Sequence, residues 1–201
     1  MRTFVALVPA LLLAAPLSAY ARHTGNNLDV YYMSSGLEIT VPGFDSFDDS
    51  GDGFGVKGQF SFAPDLFITG EYQSTTLDDL DADLDQLRIG IGGRAQIGQQ
   101  LWGRLQGEYF DAEYDGEDLD DGFGMHAGIE FDAEPVLIYA DLGYLMLGDA
   151  DGPEFLIGAA FEFAPSLGVF VDYRLTSLEV DDGTDTEFEF DDFRAGVRFT
   201  F

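Results

Sequence analysis

Apolar and polar residues alternate with a period of two through most of this chain. Between Phe54 and Phe62 the apolar set is Phe54, Val56, Phe60 and Phe62 with Gly58, while Gly55, Lys57, Gln59 and Ser61 lie between them. That is the signature of a strand with one greasy and one polar face. Leu87, Ile89, Ile91, Ala95 and Ile97 repeat it against Gln86, Arg88, Arg94 and Gln96. The last run sets Phe193, Ala195, Val197, Phe199 and Phe201 against Arg194, Arg198 and Thr200. Past the N-terminal leader, no run reaches the ~18 apolar residues of a membrane helix.

Counting such runs predicts ten strands, near 28–41, 53–63, 66–76, 86–97, 101–112, 122–132, 136–147, 154–163, 167–178 and 190–201. Most have about the 9–11 residues a tilted strand needs to cross a bilayer. An even number closes an antiparallel barrel with both termini on one side and leaves no edge exposed to lipid. In the first strand Leu28, Val30 and Tyr32 are out of phase with Leu37, Ile39 and Val41. A bulge at Ser34 to Gly36 would reconcile them.

The connections alternate in kind. Ala63-Pro64-Asp65, Gly98-Gln99-Gln100, Asp132 to Pro135 and Ala164-Pro165-Ser166 read as tight periplasmic turns. Longer acidic links near 42–52, 77–85, 113–121, 148–153 and 179–189 read as extracellular loops. Outward Tyr72, Tyr109, Tyr144 and Tyr173 then fall towards the outer side and Phe62, Phe131, Phe163 and Phe201 towards the periplasm, as two aromatic girdles.

The N-terminus adds an address. Arg2 precedes an apolar run from Phe4 to Ala15, and Ala19 and Ala21 supply small residues for cleavage, so a signal peptide of residues 1–21 is expected. The barrel domain would then be 22–201. The chain has 38 acidic against 9 basic side chains, a formal net charge of −29. Such a chain does not seek nucleic acid, whose phosphates demand basic surface. With no cysteine, disulfides and thiolate metal sites are excluded.

Charge placement separates two barrel types. Lys57, Arg88, Arg94 and Arg104, with Arg174, Arg194 and Arg198, share the polar face with Glu71, Glu108, Glu130, Asp141, Glu162 and Asp172. Near-balanced charges confined to one face suit a lumen filled by ion pairs. In a soluble lipocalin-like barrel the faces swap, and a solvated exterior under this net charge would be mostly acidic. The expected fold is therefore an all-β, up-and-down transmembrane barrel of ten strands, with eight as the alternative.

The sequence Arg194-Ala195-Gly196-Val197-Arg198-Phe199-Thr200-Phe201 resembles the C-terminal signal of small Gram-negative outer-membrane β-barrels of the OmpA and OmpX type. In those proteins Gly196, Phe199 and Phe201 would correspond to the glycine and aromatics that the barrel-assembly machinery recognises. Asp52-Gly53-Phe54-Gly55, Asp121-Gly122-Phe123-Gly124 and Asp85-Gln86-Leu87-Arg88 further resemble a small-barrel subgroup from plant-associated bacteria linked to biofilm and vesicles. The resemblance implies a cell outer membrane location, with lipid and lipopolysaccharide as neighbours. It says little of function, because one barrel architecture serves adhesins, enzymes, pores and passive structural proteins.

Candidate chemistry is sparse. Omptin-type proteases carry acidic and histidine residues at the outer rim, and His126 is an inward position read as near the outer end of its strand. Gly128 sits where a partner carboxylate would be needed, so His126 is read as a lumen hydrogen-bonding residue and no catalytic residue is assigned. Asp48-Asp49-Ser50-Gly51-Asp52-Gly53 opens like a calcium loop, but Gln59 stands where an EF-hand has its bidentate glutamate. Asp48, Asp52, Asp81, Asp83 and Asp85 are therefore expected to bind Ca2+ or Mg2+ only weakly and diffusely. Residues 43–52, 77–85, 111–121, 148–154 and 179–192 hold 27 of the 38 carboxylates and no Lys or Arg. An acidic crown of this kind favours divalent cations or cationic peptides. The leading expectation is a non-enzymatic structural or surface-interaction protein, and the alternative is a narrow cation-preferring porin. Phe67, Trp102 and Leu137 point inward near the periplasmic mouth, where they would either close the floor or pack beside the turns.

Overall fold

The structure, a computed structural model, describes residues 26–180 and 186–201. The expected signal peptide and its cleavage position lie outside the described residues. Ten antiparallel strands form one closed barrel, each paired with its neighbours in sequence and β1 with β10. They are β1 (Asn27–Thr40), β2 (Phe47–Ala63), β3 (Leu66–Leu77), β4 (Ala82–Gln96), β5 (Leu101–Tyr114), β6 (Glu117–Ala133), β7 (Val136–Leu147), β8 (Ala150–Ala164), β9 (Leu167–Val180) and β10 (Thr186–Thr200).

All ten predicted strands are present, and the predicted periplasmic turns stand between them. The outer ends differ. β2, β4, β6, β8 and β10 begin four to six residues earlier than the alternation predicted, so most of the residues expected in acidic loops are paired sheet. Only 41–46, 78–81, 115–116 and 148–149 remain as described outer connections.

The reason is a reversal of polarity along each strand. In the lower part apolar residues face out: Ile91 is 60% exposed, Leu105 67% and Met125 68%. Those fractions are far too high for a soluble barrel core. On β2 this band runs from Phe54 to Phe62, and on β10 and the residue after it from Phe193 to Phe201, nine positions each, matching a bilayer crossing. Above the band the faces swap. Leu77, Ala82, Leu84, Phe110 and Leu147 are buried inside while Glu38, Asp48, Asp52 and Asp83 point out. Seven residues of β10 precede its band, which lifts the sleeve roughly 15 Å above the lipid at strand rise and barrel tilt.

The same reversal replaces the predicted bulge in β1. Its pairing with β2 and β10 is continuous through Ser34 to Gly36. Leu28, Val30 and Tyr32 face lipid, whereas Leu37 and Ile39 face the apolar interior of the sleeve, so an unbroken strand satisfies both sets.

Candidate functional site

The lumen of the membrane band is filled by ion pairs. Arg194, fully buried, donates from Nε to Asp172 Oδ1 (2.6 Å) and from Nη1 to Glu71 Oε1 (2.7 Å). Arg174 Nη2 donates to Glu71 Oε2 at 2.6 Å, and Lys57 Nζ to Asp172 Oδ2 at 2.8 Å. Two phenols complete these carboxylates, Tyr31 on Glu71 (2.6 Å) and Tyr139 on Asp172 (2.9 Å). Gly55 makes room for the Tyr31 ring, since a Cβ there would lie 2.3 Å from Cζ. These side chains come from six strands, held inward by the period of two. Buried charges are tolerated only when paired in this way.

Two further groups lie beside this centre. Arg198 grips Asp29 through Nε (2.8 Å) and Nη2 (2.7 Å). Arg104 Nη1 donates to Glu130 at 3.1 Å, with Asp141 3.4 Å from its Nε. Arg94 lies over the Trp102 ring, and Glu162 accepts from Thr200 at the periplasmic end. The predicted lumen residues are thus on the lumen side, joined by Asp29, which the sequence reading left out although its inward phase is plain between Leu28 and Val30.

His126 departs from its reading. It lies mid-strand on β6 rather than near its outer end, and it has company. Its Nε2 is 3.1 Å from Glu108 Oε1 and its Nδ1 is 3.8 Å from Glu154 Oε1. Arg88 ties the two glutamates, donating from Nη1 to Glu108 (3.1 Å) and from Nη1 and Nη2 to Glu154 (2.9 and 2.8 Å). By sequence Glu154 falls in the acidic crown, because Gly152 and Pro153 disguise the start of β8; it is only 4% exposed and faces inward.

Above the pairs, Phe110, Ala112, Leu145, Leu147 and Leu178 pack into an apolar cluster, with Ala150, Phe188 and Phe190 against it. Below them a cavity of about 230 Å³ runs to the periplasmic turns and is lined by Trp102 and Leu137. These two side chains border the mouth, while Phe67 is 1% exposed and lies under Arg104.

On the outside of the sleeve, carboxylates face carboxylates. Glu38 stands opposite both Asp48 and Glu189, and Asp85 opposite Glu113. Asp111 is opposite Asp121, and Glu179 is opposite both Glu187 and Asp151. The stretch resembling a calcium loop is the start of β2, with Asp48, Ser50 and Asp52 out and Asp49 in. Asp81 is in the β3–β4 turn, and Asp52 and Asp83 are separated by Thr76 of β3, about two strand spacings apart. These five aspartates therefore do not converge on one ion. Asp49 does something else. It accepts from the backbone N–H groups of Ser50, Asp79 and Leu80 and so clasps the β3–β4 turn. Those bonds hold its carboxyl below the usual aspartate range.

The fold is that of outer-membrane β-barrels. The structure is similar to the outer membrane protease OmpT from Escherichia coli, with a TM-score of 0.56 and 12% identity over 89% of this chain and 97% of that one. It is also similar to an outer membrane channel from Pseudomonas putida F1, with a TM-score of 0.53 and 10% identity over 88% and 96%. Neisserial surface protein A matches at a TM-score of 0.42 and 12% identity over 87% and 97%. No family model and no curated protein sequence matches the chain. The likeness shows the architecture, which protease and channel share, and the apolar exterior of the band is the surface a bilayer requires.

Proposed function

We propose that this protein is a sealed, non-enzymatic structural or surface-interaction barrel whose acidic sleeve engages divalent cations, the lipopolysaccharide they bridge, or cationic peptides. The reversal of polarity along the strands carries this reading. One change of phase puts an apolar plug inside the outer end of the barrel and rows of carboxylates outside it. Like charges directly opposite on adjacent strands repel, with Cβ atoms about 5 Å apart. Millimolar Ca2+ or Mg2+ relieves that repulsion, in the weak range of extracellular sites with imperfect ligand sets. His126 argues against an omptin-like protease, because it lies beneath the plug and away from an external substrate.

The test is thermal unfolding and limited proteolysis of the purified barrel, with EDTA, with calcium and with polymyxin. Added cations should raise the melting temperature and protect the sleeve. No response to either would remove the interaction reading.

A narrow cation-preferring porin is the second reading, favoured by the cavity in the periplasmic half of the lumen. It requires the ion pairs and the apolar cluster to part, and conductance separates the two.

A further inference from the structure

We propose that Glu108, His126 and Glu154 form a binding site for one first-row transition-metal dication of the Zn2+ or Co2+ kind, reached through the lumen from the periplasmic side. The three residues come from β5, β6 and β8, and one ligand atom of each lies within 4.8 Å of the others. Imidazole with two carboxylates is a donor set suited to such ions rather than to calcium, which takes oxygen alone.

The imidazole supplies the second observation. His126 is nine-tenths buried, yet its Nε2 has no hydrogen-bond partner. It sits 3.1 Å from Glu108 Oε1 without the alignment of a hydrogen bond. Two donors sharing an ion at bond lengths of about 2.0–2.1 Å are roughly 3 Å apart, so this spacing fits neighbouring ligands. The ring is placed by packing: a Cβ at Gly143 would meet Nδ1 at 2.2 Å, so only glycine leaves the imidazole its seat.

Charge and access agree. The cavity of about 230 Å³ is lined by His126, Glu108 and Glu154 and continues to Asp132, Glu134 and Pro135 at a periplasmic turn. Its lining holds eight carboxylates against seven Lys and Arg side chains, and Asp29 and Asp172 add two more carboxylates to the same cations. A dication entering there reduces an imbalance.

Arg88 is the competitor. Its Nη1 bridges Glu108 Oε1 and Glu154 Oε1, the place an ion would take. Nη2 holds Glu154 Oε2, and the guanidinium lies 4.7 Å from the Phe110 ring centre, so Nη1 can release its oxygens while the side chain stays anchored. The guanidinium and the metal thus exchange on the two glutamates.

The test is Co2+ titration of the folded full barrel in detergent, followed by d–d absorption and by equilibrium dialysis with Zn2+ as competitor. One ion per chain should bind with an imidazole-containing spectrum. Arg88→Gln should tighten binding at least tenfold, whereas His126→Gln and Glu108→Gln should lose it. His23 is the only other histidine, so His23→Gln should bind as the parent does. Folding of each variant is checked by heat-modifiable gel mobility. If His126→Gln does not fold, Cu2+ electron spin echo on the His23→Gln protein reads imidazole coordination directly. Absence of stoichiometric Co2+ at 1 mM in both the parent and Arg88→Gln, or binding untouched by His126→Gln, would overturn the proposal, the latter by placing the ion on the acidic sleeve.

Discussion

Glu38 on β1 stands directly opposite Glu189 on β10, both facing outward above the membrane band. Asp48 flanks Glu38 on its other side, so three adjacent strands carry three carboxylates in one row. Among the described residues no Lys or Arg faces outward in the sleeve to interrupt it. Replacing the middle charge, Glu38→Gln, should stabilise the barrel in EDTA by about 0.2–1 kcal/mol for each repulsive pair removed. It should also shrink the stabilisation by calcium. Melting curves with and without 5 mM calcium check both; destabilisation in EDTA would mean that the row is not repulsive.

Arg194 binds the two central carboxylates at once, whereas Arg174 reaches only Glu71 and Lys57 hydrogen-bonds only Asp172 of the two. Arg194→Ala leaves the buried Glu71 and Asp172 with fewer partners and should cost about 3–5 kcal/mol. Urea unfolding in lipid vesicles, followed by tryptophan fluorescence, measures this. A loss within the range of a surface pair, about 0–1 kcal/mol, would show that the lumen is wet.

Asp49 gives the sleeve a pH dependence of known sign. Its carboxyl titrates lower when folded than when unfolded, so its contribution is complete above the unfolded value of roughly pH 4 and is lost as pH falls through the lower folded value. The protection factors of the Asp79 and Leu80 amides, taken relative to the intrinsic exchange rate at each pH, should therefore fall in acid. Asp49→Asn should show fast exchange of these amides already at neutral pH, and unchanged protection in that variant would remove Asp49 from the turn.

The connections predict a protease map. In intact cells the 41–46 segment, with Phe44 78% exposed, is the longest described outer connection and should be cut first. The links 115–116 and 148–149 are too short to enter a protease cleft and should survive. Cysteines placed at Asp65 and Ser166 should resist labelling from outside, because both sit in turns at the rim where β1 begins and β10 ends.

The period of two made the barrel legible down to the strand count, since lipid outside and ion pairs inside impose opposite polarities on successive residues. The sleeve escaped because it obeys the opposite rule, with water outside and an apolar core inside. Its Asp and Glu residues then resemble loop composition. The phase conflict between Tyr32 and Leu37 was the one visible trace, and it marks the membrane surface rather than a bulge. His126, Glu108 and Glu154 are far apart in sequence, and no spacing rule links residues that meet across a lumen. Only the closed register brings them together.

The most direct test of the sealed barrel is single-channel recording of the purified protein in planar bilayers, with Arg194→Ala and the double variant Phe110→Ala, Leu145→Ala alongside. The parent should show no steady conductance at either polarity in 1 M KCl, and the variants that open the ion pairs or the plug should show channel events. Stable, cation-selective openings of the parent protein would contradict the account and make the chain a porin.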